Sequence, residues 1–165
     1  MDKEKIKNLV YNAIEENLDL LHEALSENDS IFLVEIKFSE KNKVNIIIDG
    51  DDGVNLKECI RISRHIEHNL DREEEDFSLE VTSPDIAKPL IVKRQYQKNI
   101  NRTLQVKLID NLKIEGVLKN VEEDSIFLEW KAREPKPIGK GKITVVKNKT
   151  IPFKDILEAK VKLLF

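Results

Sequence analysis

Seven cations face one carboxylate between positions 131 and 149: Lys131, Arg133, Lys136, Lys140, Lys142, Lys147 and Lys149 against Glu134. Ammonium and guanidinium groups strung along one segment neutralise successive phosphates, and each phosphate neutralised steepens the salt dependence of binding. Pro135, Pro137, Gly139 and Gly141 are interspersed, so the segment reads as a long irregular loop. The chemistry favoured is contact with an RNA backbone, carried by Lys131, Arg133, Lys136, Lys140, Lys142 and Lys147. The competing reading is a solvated hairpin whose lysines keep an edge strand from aggregating. Trp130 and Tyr96 can stack on bases, although one tryptophan at a strand end is more often core.

A second set of charges is acidic. Asp49, Asp51 and Asp52, with Asp71, Glu73, Glu74, Glu75 and Asp76, form a candidate surface for a basic protein partner. Charge complementarity of this kind speeds encounter and excludes wrong partners more than it sets affinity. The alternative is a solubilising loop. Gly50-Asp51-Asp52-Gly53 has the GxxG spacing that clamps nucleotides, but two central carboxylates repel phosphates. The same stretch fails as a calcium loop, because Val54 and Ile60 stand where a glycine and the closing glutamate are needed. It reads as a strand-to-helix turn.

Catalytic chemistry finds little support. His65 and His68 lie three apart and near Cys59, but no fourth ligand has suitable spacing and His22 is remote, so no metal and no other cofactor is expected. Ser63 and Ser83 lack a local base or a glycine elbow. The reading is a binding protein without catalytic residues.

These residues need elements to hold them. The chain has 165 residues, 40% apolar, 36% charged and only 5% aromatic, which fits two small aliphatic cores better than one large one. Residues 1–90 hold 22 acids and 11 bases, a net of −11, while residues 91–165 hold 9 acids and 17 bases, a net of +8. Such asymmetry points to two surfaces for different partners, or to halves that attract each other. No run is long enough for a membrane span, the first residues lack a signal peptide's apolar stretch, and the lone Cys59 fits a reducing compartment. A cytoplasmic protein is expected.

Ile6, Leu9, Val10, Ala13, Ile14 and Leu18 recur at helical spacing, predicting a helix over 3–18 whose pattern weakens through 20–25. Strands follow over 31–38 and 44–48, joined by a turn at Lys41-Asn42-Lys43. Asn55 caps a second helix, with Glu58 completing a capping box and Leu56, Cys59, Ile60, Ser63, Ile66 and Leu70 forming its apolar face. An acidic loop leads to a strand over 77–82, parallel to the one before the helix. The front half is thus α-β-β-α-β. Pro84 and Pro89 argue against regular structure in the segment they flank. Beyond it, short strands over 103–109, 112–120, 125–131, 142–147 and 150–153 running on towards 160–164 describe a small closed or partly open barrel. The fold class is α+β, with an acidic domain over 1–84, a linker over 85–99 and a basic β domain over 100–165.

The junction is the specific part. Leu79-Glu80-Val81-Thr82-Ser83-Pro84 followed by Lys88-Pro89-Leu90 resembles the signature of the RimP family of ribosome maturation factors. Gly53-Val54-Asn55-Leu56 before Cys59, Ile62-Ser63-Arg64 and Leu70-Asp71 match upstream. Thr103–Val106, Glu115–Leu118 and Ile151-Pro152-Phe153 with Ile156 and Ala159 match downstream. Asp85 and Asn101 stand where the family has glycine, and Asn and Asp are the residues best able to keep a positive φ. Lys88 replaces an arginine, keeping the charge but losing its planar fork. The segment 131–141 is longer than the family's.

The resemblance implies an Sm-like or SH3-like C-terminal barrel and a late role in assembling the small ribosomal subunit. The expected partners are the immature subunit, its ribosomal RNA and a basic ribosomal protein, met by a monomer. It also makes Glu80, Thr82, Ser83, Pro84, Lys88, Pro89 and Leu90 a junction motif. A different class stays open: a free-standing RNA-binding regulator whose Sm-like barrel assembles into rings.

Overall fold

Three isoleucines in succession, Ile46–Ile48, point to alternate faces of a strand, the pattern of a strand buried on both faces. In this computed structural model, which describes residues 18–39, 43–69 and 78–163, they lie on β2 (Lys43–Gly50). β1 (Ile31–Ser39) pairs with β2 antiparallel, and β3 (Ser78–Thr82) pairs with it parallel. All three isoleucines are buried. A register shift between Leu33 and Glu35 makes Val34 the extra residue of a bulge. Ser39 pairs with Lys43, so the predicted turn at 41–43 is bracketed, though 40–42 lie outside the described residues.

Two helices cover this sheet, α1 (Leu18–Ser26) and α2 (Leu56–Asn69). The expected fading of helical pattern after Leu20 is not observed. Leu21, Ala24 and Leu25 form their own i, i+3, i+4 stripe, and Leu21 and Ala24 are buried. Most of the predicted helix over 3–18 lies outside the described residues. α2 starts as its sequence dictates: the Glu58 backbone N–H donates to Asn55 Oδ1 at 2.9 Å. Its buried face is shifted from the expected one. Cys59, Ile62 and Ile66 enter the core, whereas Leu56 and Ile60 are exposed. Full burial of one such aliphatic side chain is worth about 1.5–3 kcal/mol. That outweighs surface ion pairs such as Lys43–Glu80, worth about 0–1 kcal/mol each.

The chain divides into two compact units after Asp85. The segment between Pro84 and Pro89 carries no helix or strand, as the prolines require. The expected linker over 85–99 nonetheless holds a helix, α3 (Lys93–Lys98), because Tyr96 is buried and packs edge-to-face on Phe153 at 5.1 Å. Gln95 is buried too, its Oε1 accepting from the backbone N–H of Ile91 and Val92. Leu90 N–H donates to the Ala159 carbonyl at 2.8 Å.

A five-stranded antiparallel sheet follows: β4 (Thr103–Leu108), β5 (Lys113–Val121), β6 (Ser125–Pro135), β7 (Lys142–Pro152) and β8 (Ile156–Val161), in the order β7-β6-β5-β4-β8. A 3-10 turn, Phe153–Asp155, links β7 to β8. No ladder among the described residues joins those two strands, so the expected barrel appears as an open sheet. Its buried face carries Leu104, Val106, Leu118, Ile126, Leu128, Ile151 and Ala159. Asn101, φ 76°, occupies the left-handed region, which asparagine tolerates better than most residues, and its N–H donates to Leu118 O at 2.7 Å. Asp85 does not: Asn101 and Asn111 are the non-glycine residues with positive φ among those described.

Candidate nucleic-acid interface

The basic segment is not an irregular loop. β6 and β7 are each 11 residues long and pair without interruption from Ser125↔Pro152 to Pro135↔Lys142. The proline and glycine residues that signalled a loop are gathered at its far end. β5 accompanies β6 only as far as Glu129, so Trp130–Pro135 and Lys142–Lys147 project as a two-stranded ribbon. Gly116 on β5 lets β6 pass close by at the point where the ribbon begins. A Cβ there would sit 3.1 Å from Glu129 O and 3.4 Å from Trp130 Cε3.

Side chains on paired strands alternate faces, and directly paired residues share one. One face therefore carries Lys131, Arg133 and Lys142, with Thr144 and Val146 beside them. The three cations are exposed; Lys131 and Arg133 stand about 6.6 Å apart along β6, and Lys142, opposite Pro135 on β7, extends the row by one further step. Arg133 is held flat across the ribbon, donating through Nη1 to Thr144 Oγ1 at 3.0 Å and through Nη2 to Lys142 O at 3.3 Å. The other face carries Leu128 and Trp130, which belong to the core, and then the half-buried Ala132, Val145 and Ile143. Lys147 belongs to that second face and pairs with Glu134, Nζ to Oε1 2.6 Å. Lys136 and Lys140 lie at the turn.

The six cations singled out in the sequence thus separate. Three form a row on one face, two crown the tip, and Lys147 points the other way against a carboxylate. Periodicity of two, applied across the hairpin, is the signal that could have divided them. Tyr96 is unavailable for base stacking: it is 5% exposed, and burial pushes its phenol up to about 12. Trp130 is half-buried against the core.

The acidic candidates separate as well. Asp49 is buried, with Oδ1 accepting the Gly50 N–H at 2.8 Å, so it serves the strand end. Asp51 and Asp52 are exposed at the turn closed by Gly53 N–H to Gly50 O at 3.0 Å, with Gly53 at φ 90°. That confirms a strand-to-helix turn. Asp71, Glu73, Glu74, Glu75 and Asp76 lie outside the described residues. In the junction motif, Glu80 pairs with Lys43 and Thr82 Oγ1 donates to Asn45 Oδ1 at 3.1 Å, both within the first unit's sheet. Ser83 and Lys88 are exposed, Pro84 and Pro89 half-buried. Cys59 is buried in the first core, where burial raises its thiol pKa, and His65 lies 3.7 Å from Glu23. No cluster of three metal-binding side chains occurs among the described residues.

These features define a class: a two-unit α+β protein whose second unit presents a one-sided basic ribbon. Comparison with known proteins makes it specific. Residues 21–87 match the model of the RimP N-terminal domain. A protein of Christiangramia forsetii named ribosome maturation factor RimP is 53% identical over 146 residues, covering 88% of this chain and 95% of that protein. Its namesake in Flavobacterium psychrophilum is 48% identical over 147 residues, covering 89% and 95%. That of Porphyromonas gingivalis is 39% identical over 129 residues, covering 78% and 84%. The chain belongs to the RimP family of ribosome maturation factors.

Proposed function

We propose that this protein is a non-catalytic factor in the maturation of the small ribosomal subunit, binding the immature particle in the cytoplasm as a monomer. The observation that carries the reading is the row Lys131, Arg133 and Lys142 on one face of the ribbon, in a chain of this family. Three exposed cations at strand spacing suit the backbone of ribosomal RNA. The acidic first unit, through Asp51 and Asp52 among others, suits a basic ribosomal protein. The strand order and the 3-10 turn before the last strand fit an SH3-like barrel opened on one side.

Three neutralised phosphates give a slope of about −2 to −3 in log affinity against log salt. In low-salt gradients the purified protein should co-sediment with small-subunit precursors and leave them as salt rises. Failure to associate in low salt would refute the reading. One observation favours a second class: β7 is an edge strand along its whole length, as ring assembly of an RNA-binding regulator requires. Light scattering separates the two, since a ring cannot have the mass of one chain.

A further inference from the structure

The ribbon ends in a built turn. Lys136 N–H donates to Gly141 O at 3.1 Å, enclosing Pro137, Ile138, Gly139 and Lys140. Gly139 and Gly141 hold φ of 86° and 101°, and Pro137 fixes its own φ, so the turn has a defined shape. At its apex Ile138 is 90% exposed, the most exposed large apolar side chain among the described residues. Turn positions ordinarily take Gly, Pro, Asn, Asp or Ser. A branched aliphatic here, farthest from any core, adds nothing to folding. Scattered apolar surface residues need no explanation, but this one has a setting. Lys136 and Lys140 flank it at two residues on either side, Lys142 follows, and no acidic residue occurs between Glu134 and Asp155.

We propose that the tip is an apolar wedge for structured RNA: Ile138 packs into an opened base step while Lys136 and Lys140 hold the phosphates on either side. The proposal rests on the RNA reading of the ribbon and names the kind of RNA it takes. A regular A-form duplex offers no apolar face to a side chain, because its deep groove is too narrow and its shallow groove displays hydroxyls. A bulge or junction exposes the face of an unstacked base next to phosphates, which matches an aliphatic apex between two ammonium groups. Apolar wedges between base steps are an established device where a protein grips a deformed duplex. A basic ribosomal protein is disfavoured as occupant, since the lysines on both sides of Ile138 would repel it. Recognition would follow RNA shape rather than sequence.

The test uses the full chain and two fluorescently labelled RNA hairpins, one with a small bulge and one fully paired, with binding read by anisotropy across a salt series. The parental protein should prefer the bulged RNA. Ile138→Ser should weaken that binding about tenfold, leave the paired hairpin unaffected and keep the salt slope. Ile138→Leu should retain the preference. The exposure of the side chain leaves the fold unaffected by either change. Unaltered binding of Ile138→Ser to the bulged RNA overturns the wedge; if Arg133→Glu with Lys142→Glu still abolishes binding, the RNA reading survives that loss. Failure of the parental chain to bind either hairpin in low salt overturns both. Loss in Ile138→Ser of affinity for a basic ribosomal protein alone would assign the apex to protein contact and likewise overturn the wedge.

Discussion

Glu134 and Lys147 hold each other across the ribbon, 2.6 Å between Oε1 and Nζ, spanning the intervening Ala132–Val145 pair on the face opposite Arg133. The only carboxylate of the arm is thereby turned away from the row of exposed cations, and one lysine is withdrawn with it.

Removing the carboxylate should release that lysine. Glu134→Gln is expected to raise RNA affinity about two- to threefold, because one more cation enters the local field. Stability should change by no more than about 1 kcal/mol, the usual worth of a surface ion pair. Filter binding and denaturant melts check the two halves of the prediction.

The two faces should also differ under charge reversal. Lys131→Glu with Arg133→Glu is expected to lower RNA affinity at least about tenfold and to flatten the salt slope by about 2. Lys147→Glu, on the other face, should do much less. Equal losses from both faces would mean that the cations act as a diffuse cloud and not as a row.

The left-handed residue at the start of the second sheet gives a stability prediction. Asn101→Ala should cost about 1–2 kcal/mol, the penalty for a Cβ at φ 76° without a side chain that tolerates it. Asn101→Gly should be close to neutral. Urea unfolding followed through Trp130, the chain's one tryptophan, reports on this unit directly.

In the first unit, Asn55→Ala removes the acceptor for the Glu58 N–H and should cost about 1 kcal/mol. Asn55→Asp or Asn55→Ser should restore most of it. Circular dichroism melts of the three variants test this.

Alkali should loosen the second unit through Tyr96, whose phenol burial pushes up to about 12. The unfolded phenol titrates near 10, so the folded state retains the proton over the interval between them. The contribution is fully present below about pH 10 and is lost as pH rises through about 12, up to about 2–3 kcal/mol. Tyr96→Phe should remove that part of the slope, leaving lysine titration behind. Denaturation at pH 8 and pH 11 for both proteins measures the difference.

Much of the fold was legible because aliphatic alternation and caps are local signals. Ile46–Ile48, the Asn55 cap and Asn101, a residue type that tolerates positive φ, each announced the structure they adopt. The errors arose where the deciding contact was distant. On α2 two neighbouring apolar stripes competed, and only the sheet beneath determined that Ile62 is buried and Ile60 is not. The α3 sequence, Lys93-Arg94-Gln95-Tyr96-Gln97-Lys98, has no helical stripe; Phe153, more than fifty residues later, makes it one. At the candidate site the cations were legible but their faces were not, because prolines and glycines near the tip masked the alternation of Ile143 and Val145. The acidic surface was legible as charge alone, and burial removed Asp49 from it.

The bond between Leu90 and Ala159 has a topological consequence. The segment leading into the second unit lies one hydrogen bond away from the strand that completes its sheet. Arrival and departure are therefore neighbours, and the order in which the strands are synthesised is separable from the order in which they pair. A circular permutant that joins residue 163 to residue 88 through a short glycine linker, and opens between Ile138 and Gly139, should rebuild the same five-stranded sheet. It would do so with the ribbon's two strands as loose ends, leaving the sheet intact while dissolving the turn.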